Sequence, residues 1–232
     1  MIGIIIEVLL SYVLLRIFEQ KNLIVLGFTP VKLRLPQILS AFLLAAALCA
    51  LDKWKDALLT HIEWNLNPLF TLGMLGIAFW WVLKAVLYED LIFRGALLYI
   101  ANRKLGEKWA IILSAVCFGV YHWFSYGLLG NPVMMIIVFI VTGTAGWIWA
   151  WSFVKTRSMA LGFGLHLGYD FTEIVLFSKG PLGKQLLVSV QSSQYHQLIG
   201  LASLISFILP FLLLNILSYL LIRYCVKKQT AY

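Results

Sequence analysis

Apolar residues run along this chain in long blocks separated by short polar stretches. The first block is Met1 to Phe18, broken within its first fifteen residues only by Glu7. The second is Pro36 to Leu51. A longer stretch, Leu66 to Asn102, is interrupted by Lys84, Glu89, Asp90 and Arg94. Trp109 to Tyr126, Pro132 to Val154, Met159 to Phe177 and Leu198 to Ile222 follow. A helix that crosses a bilayer needs roughly 20 apolar residues, so the pattern predicts an all-α, polytopic transmembrane helix bundle. The first block has no basic stretch before it and no small-residue cleavage site after it, so it reads as a permanent span.

Leu66 to Asn102 is too long for one straight span, since 37 residues at a rise of 1.5 Å each extend roughly 55 Å. It is expected in two pieces, a short helix near Leu69 to Phe79 and a spanning helix near Trp80 to Asn102. Counting them as one or two sets the number of helices at seven or eight. Leu26 to Pro30 reads as a turn before an interfacial piece carrying Lys32 and Arg34, and Gly180 to Gly183 as an outer loop. With no repeat, low-complexity tract or hydrophilic segment, residues 1–232 read as a single membrane domain.

Composition agrees with the pattern. The chain is 62% apolar and 12% charged, against about 45–50% and about 25% for soluble domains. That excludes a soluble enzyme, a disordered regulator and a disulfide-built secreted module. The net charge of +8 would point to nucleic acid in a soluble protein, but here it follows the spans. Alternate loops hold 12 basic residues on one side and 4 on the other. By the positive-inside rule the basic loops and the C-terminal tail are cytoplasmic, with seven crossings. The partners are then a lipid bilayer and a membrane-associated substrate, with no nucleic acid. The compact chain suits a prokaryotic plasma membrane. Cys49, Cys117 and Cys225 are far apart, lack metal-ligand spacing, and read as packing residues.

Ionisable side chains inside spans are costly and are functional hypotheses by default. Three places hold them: Glu89-Asp90 with Arg94, Phe118 with His122, and His166 with Asp170. Helical rise puts Glu89 and His122 each roughly 21 Å from the basic end of their helices, and His166 roughly 13–14 Å from Arg157. Three helices thus bring a carboxylate and two imidazoles to overlapping depths. Glu89 could take a proton from water, with His122 holding the same water or shuttling the proton. Asp90 and Arg94, four apart, can pair and brace the helix. His166 could hydrogen-bond a developing oxyanion, and Asp170, one turn on, could orient it. Each group also has a plain structural reading: a buried ion pair for Asp90–Arg94, a helix–helix hydrogen bond for either histidine. Glu7 reads as an inter-helix contact or an interfacial group, and Lys84 as snorkelling or paired. Glu173 is either site rim or structure, and His61 and His196 are solvated. The tryptophans read mainly as interface belt or packing, and Gly143 and Gly146 as sites of close helix approach.

Glu89-Asp90-x-x-x-Arg94-Gly95, Phe118-x-x-x-His122 and His166-x-x-x-Asp170 together resemble the CAAX-protease and bacteriocin-processing family, also called the abortive-infection family and similar to type II CAAX prenyl endopeptidases. The resemblance is strongest over residues 73–170, with weaker likeness at Leu26-Gly27-Phe28. It implies an intramembrane endopeptidase in which Glu89 and His122 activate water, His166 and Asp170 form the oxyanion side, and Asp90, Arg94 and Phe118 support them. Two positions depart from the family pattern: Asp90 stands where glutamate is commoner, and Asp170 where many relatives have asparagine. A carboxylate cannot donate to an oxyanion unless protonated, so for Asp170 an orienting role fits better. No cofactor is expected. Zinc held by Glu89, His122 and His166 is the alternative, although no His-Glu-x-x-His motif is present. Two rival functions use the same residues: a non-catalytic peptide-binding or bacteriocin-immunity protein, and a proton-coupled transporter, against which the lack of inverted repeats counts.

Overall fold

The computed structural model describes residues 2–230; Met1, at the start of the first expected run, lies outside them. The described chain is an all-α bundle with one small sheet. Its helices are α1 (Ile2–Glu19), α2 (Val31–Thr60), α3 (Leu72–Arg94), α4 (Ala96–Leu105), α5 (Glu107–Ser125), α6 (Pro132–Thr156), α7 (Ala160–Asp170) and α8 (Gly200–Thr230). A 3-10 turn, Leu23–Leu26, precedes α2, and a π-helical turn, Phe171–Leu176, continues α7. Among the described residues four helical stretches are long and apolar enough to cross a membrane: Leu23–Thr60, Leu72–Leu105, Pro132–Thr156 and Gly200–Gln229. With large apolar side chains exposed along much of the bundle's outside, the chain is an integral membrane protein.

Two boundaries differ from the hydropathy reading. The long third stretch is not divided near Phe79. It breaks at Gly95, where a Cβ would collide with the Leu91 carbonyl, so only a residue without one allows the chain to leave α3 and start α4 at once. Hydropathy does not register such a break, because apolar residues lie on both sides. Lys32, Arg34, Lys53 and Lys55 also lie within α2 rather than in the flanking segments. Arg34 is buried and donates to Gln37 Oε1 (3.0 Å) and the Thr156 carbonyl (3.3 Å). The two terminal guanidinium nitrogens thus have partners inside the bundle, which offsets part of the cost of burying the charge, while Nε has none among the described residues.

The sheet settles the helix parity. β1 (Ile62–Leu66) pairs antiparallel with β2 (Leu187–Gln191), so the connections after α2 and after the π turn share one face. The number of crossings between them is then even, as it is when α3 with α4, α5, α6 and α7 each make one, and Leu72–Leu105 is a single candidate span. On the opposite face Glu19 meets Arg103 (3.6 Å) and Lys104 (3.4 Å), and Lys155 pairs with Glu107. There too the Ser158 hydroxyl donates to the Gly27 carbonyl and the Met159 amide to the Leu26 carbonyl.

The short helix α7 is the centre of the bundle: every residue from Ala160 to Gly168 is buried. Its small residues bring it close to α2. A Cβ at Gly164 would meet the Ile38 backbone, and one at Gly168 the Phe42 backbone. The pair is spaced G-x-x-x-G, the pattern that lets two helices approach until backbones touch. His166 lies between them. Gly168→Ala is expected to push α7 off α2 and to cost about 1–3 kcal/mol by overpacking, read as a lower thermal unfolding midpoint in detergent. Cys49 is buried and Cys225 half-buried, whereas Cys117 is exposed on the outside of α5, so it is not a core residue.

Candidate active site

The site begins in the last two turns of α3. Asp90 and Arg94, four residues apart, share one helix face and point into the bundle. Asp90 Oδ1 accepts from Arg94 Nε at 3.0 Å and from Nη2 at 2.5 Å. Their side chains are only 2–3% exposed, so neither charge is screened by solvent and each depends on the other. The guanidinium also lies over the Phe118 ring at 4.1 Å and the Trp149 ring at 4.8 Å, aromatic faces that attract a cation. Glu89 is next in sequence, so it is rotated about 100° around the helix. Its side chain is 19% exposed.

His166, on α7, is the hub. Its Nδ1 lies 3.2 Å from Asp90 Oδ1 and 3.4 Å from Arg94 Nη2. Its Nε2 lies 3.5 Å from Asp170 Oδ2 and 3.7 Å from Glu89 Oε2. The ring thus has carboxylates at both nitrogens. The contact to Asp90 is of hydrogen-bond length, whereas those to Asp170 and Glu89 are ion-pair distances. Asp170 is 30% exposed, so it and Glu89 form the reachable side of the cluster, with Asp90, Arg94 and His166 behind.

His122 comes from α5. Its Nδ1 donates to the Phe118 carbonyl at 2.8 Å, one turn back. In a neutral ring that leaves Nε2 as the proton acceptor. The buried imidazole packs between Phe118, Tyr121 and Tyr126, with ring centroids 4.5, 5.2 and 5.0 Å away. Among the described residues no ion pair joins His122 to Glu89; the Tyr121 ring packs against His122 and, at 5.3 Å, against Phe93 of the helix that carries Glu89. Phe118 ties the two histidines together, its ring 6.1 Å from His166.

All seven residues singled out from sequence meet here: Glu89, Asp90, Arg94, Phe118, His122, His166 and Asp170. Two others take part without having been singled out. Tyr121 stands beside His122 in sequence, which is its only signal. Trp149, read as belt or packing, stacks on His166 with centroids 4.3 Å apart and planes at 24°. Its signal is Gly146, three residues earlier on the same face, where a Cβ would meet the Phe118 side chain.

The polar residues left open resolve as follows. Glu173, in the π turn, pairs with Lys53 of α2 at 2.7 Å and receives the Cys49 thiol at 3.5 Å. It ties the segment after Asp170 to α2. Lys84 lies over the Trp80 ring at 5.9 Å. Glu7 is half-buried, with Oε2 lacking a hydrogen-bond partner among the described residues. The exposed rings of His61 and His196 face each other beyond the bundle at 5.4 Å. Among the described residues no three His, Cys, Asp or Glu side chains are arranged to hold a metal ion, the Glu89, His122 and His166 set included.

Residues 68–172 match the family model described as Type II CAAX prenyl endopeptidase Rce1-like, the family type that the three motifs resemble. The matched span contains α3 through α7, and with them every residue of the cluster above. No curated protein matches the chain, and no solved structure matches it.

Proposed function

We propose, from the family that residues 68–172 match, that this membrane protein is an intramembrane endopeptidase that hydrolyses a peptide bond in a membrane-associated or lipid-anchored protein or peptide. The observation that carries this reading is the position of His166, with Asp90 at one nitrogen and Glu89 and Asp170 facing the other. A structural ion pair needs only Asp90 and Arg94. It does not require a second, partly exposed pair of carboxylates converging on the other edge of an imidazole.

In this mechanism Glu89 takes a proton from a water whose oxygen attacks the scissile carbonyl carbon. His122 holds the same water through Nε2, since its Nδ1 is committed to the Phe118 carbonyl. Charge builds on the carbonyl oxygen and is met by the Nε2 proton of His166. Asp90 holds the other ring nitrogen, and Asp170 keeps the Nε2 edge in place before substrate arrives. As the C–N bond breaks, Glu89 returns its proton to the leaving amine, so the carboxylate is regenerated. Positive-inside orientation, with the tail cytoplasmic in a prokaryotic plasma membrane, belongs to the same proposal.

The direct test compares the peptides of cells carrying the wild type with those of cells carrying the Glu89→Gln variant. One precursor is expected to accumulate with the variant, and its absence would count against proteolysis. Because the water is activated by a carboxylate, chelation by EDTA or o-phenanthroline is expected to leave cleavage unchanged. Loss of cleavage reversed by added zinc would instead make Glu89, His122 and His166 metal ligands.

A further inference from the structure

Trp149 belongs to none of the three motifs, and α6 brings no acid or base to the cluster, its Lys155 pairing with Glu107 instead. Yet α6 is drawn against the site by Gly146, where the Phe118 side chain fills the space of a Cβ. One turn on, the Trp149 indole lies almost parallel to the His166 ring at 4.3 Å and 24°. The Arg94 guanidinium sits 4.8 Å from the same indole and 4.1 Å from Phe118, while the Phe118 and Trp149 rings are 5.7 Å apart. One aromatic face therefore touches both the imidazole and the cation that pairs with Asp90.

This contact does something the hydrogen bonds cannot. Only the Nδ1 contact to Asp90 is of hydrogen-bond length; the Nε2 contacts, at 3.5 and 3.7 Å, leave the imidazole able to tilt by rotation about its Cβ–Cγ bond. The χ2 torsion of histidine is broad and opposes such tilting weakly. A flat surface against the ring face removes that freedom. We propose that Trp149 is a positioning residue of the site: by stacking on His166 and Arg94 it fixes the imidazole plane, and so the direction in which Nε2 points at the scissile carbonyl. The kinetic consequence rests on the protease reading, whereas the structural consequence does not.

The test compares Trp149→Leu and Trp149→Phe in the full chain, both checked for a wild-type thermal midpoint in detergent. Leucine keeps apolar bulk and loses the flat face; phenylalanine keeps the face. Trp149→Leu is expected to lower kcat by roughly 10–100-fold through a misplaced group with KM little changed, and Trp149→Phe to restore most of it. Diethyl pyrocarbonate labelling read by mass spectrometry needs no activity. His166 modification is expected to rise several-fold in Trp149→Leu, to return to the wild-type level in Trp149→Phe, and His122 modification to stay constant. The proposal is overturned if His166 labelling is unchanged in the leucine variant, or if the phenylalanine variant is as impaired as leucine at equal stability. If labelling responds as expected while the wild type cleaves nothing, Trp149 still positions His166 and the protease reading is the one that fails.

Discussion

Cleavage by the Glu89→Gln variant is expected to fall by about 10²–10⁴-fold, the usual contribution of a positioned general base. Glutamine has the same shape, but it cannot take a proton. The fold has little reason to respond. Glu89 is 19% exposed and its nearest ionic partner, His166 Nε2, is 3.7 Å away, so the change leaves no buried charge stranded. Inserted, folded but inactive protein is the expected phenotype, measured on the accumulating precursor with purified enzyme in detergent or liposomes. His122→Ala should behave similarly, since it removes the second contact to the water. If Glu89→Gln cleaved at the wild-type rate, the water-activating role would be wrong. If the variant still protected cells against a peptide toxin, the pocket would be a binding site in an immunity protein.

Asp90→Ala is expected to act on stability instead, by about 3–5 kcal/mol, the cost of leaving one member of a buried ion pair without its partner. The Arg94 side chain is 3% exposed and meets no other carboxylate at ion-pair distance among the described residues. The pair is also incompletely satisfied: Asp90 Oδ2 and Arg94 Nη1 lack hydrogen-bond partners among the described residues. Replacing both members with apolar residues of similar size, Asp90→Leu with Arg94→Met, should therefore recover much of the lost stability. It should not recover cleavage, because His166 Nδ1 loses the oxygen that stands 3.2 Å away. Unfolding in detergent and cleavage assays on the single and double variants separate the two roles. An active double variant would reduce Asp90–Arg94 to a structural brace.

The contrast between the two experiments follows from how consecutive residues face on a helix. Glu89 and Asp90 are neighbours in the chain, but a 100° step turns Asp90 to the interior and leaves Glu89 at the reachable edge. Short-range relations of this kind could be read directly. Asp90 with Arg94, Phe118 with His122, and His166 with Asp170 are each four apart, and each is a real contact. The break in the third apolar stretch was misplaced for an equally physical reason. Hydropathy responds to transfer free energy, whereas Gly95 ends α3 through a steric limit on the backbone.

Sequence alone determined the all-α membrane class, the alternation of charge along seven apolar blocks, and the seven residues that the fold gathers into one cluster. Those properties depend on composition, helical period and spacings of three or four residues. The tertiary structure decided what joins distant parts of the chain. It paired β1 with β2, which fixed the parity of the helices. It set Asp90 against His166 across 76 residues, so that one carboxylate serves both an arginine and an imidazole. It placed Trp149 on the His166 face, and Gly164 and Gly168 against α2. No local pattern encodes these contacts, because side-chain direction follows from the chain's own helix while its partner follows from packing. The charged residues that looked out of place in an apolar chain are held together at one site, with Asp90, Arg94 and His166 inside it and Glu89 and Asp170 at its reachable edge.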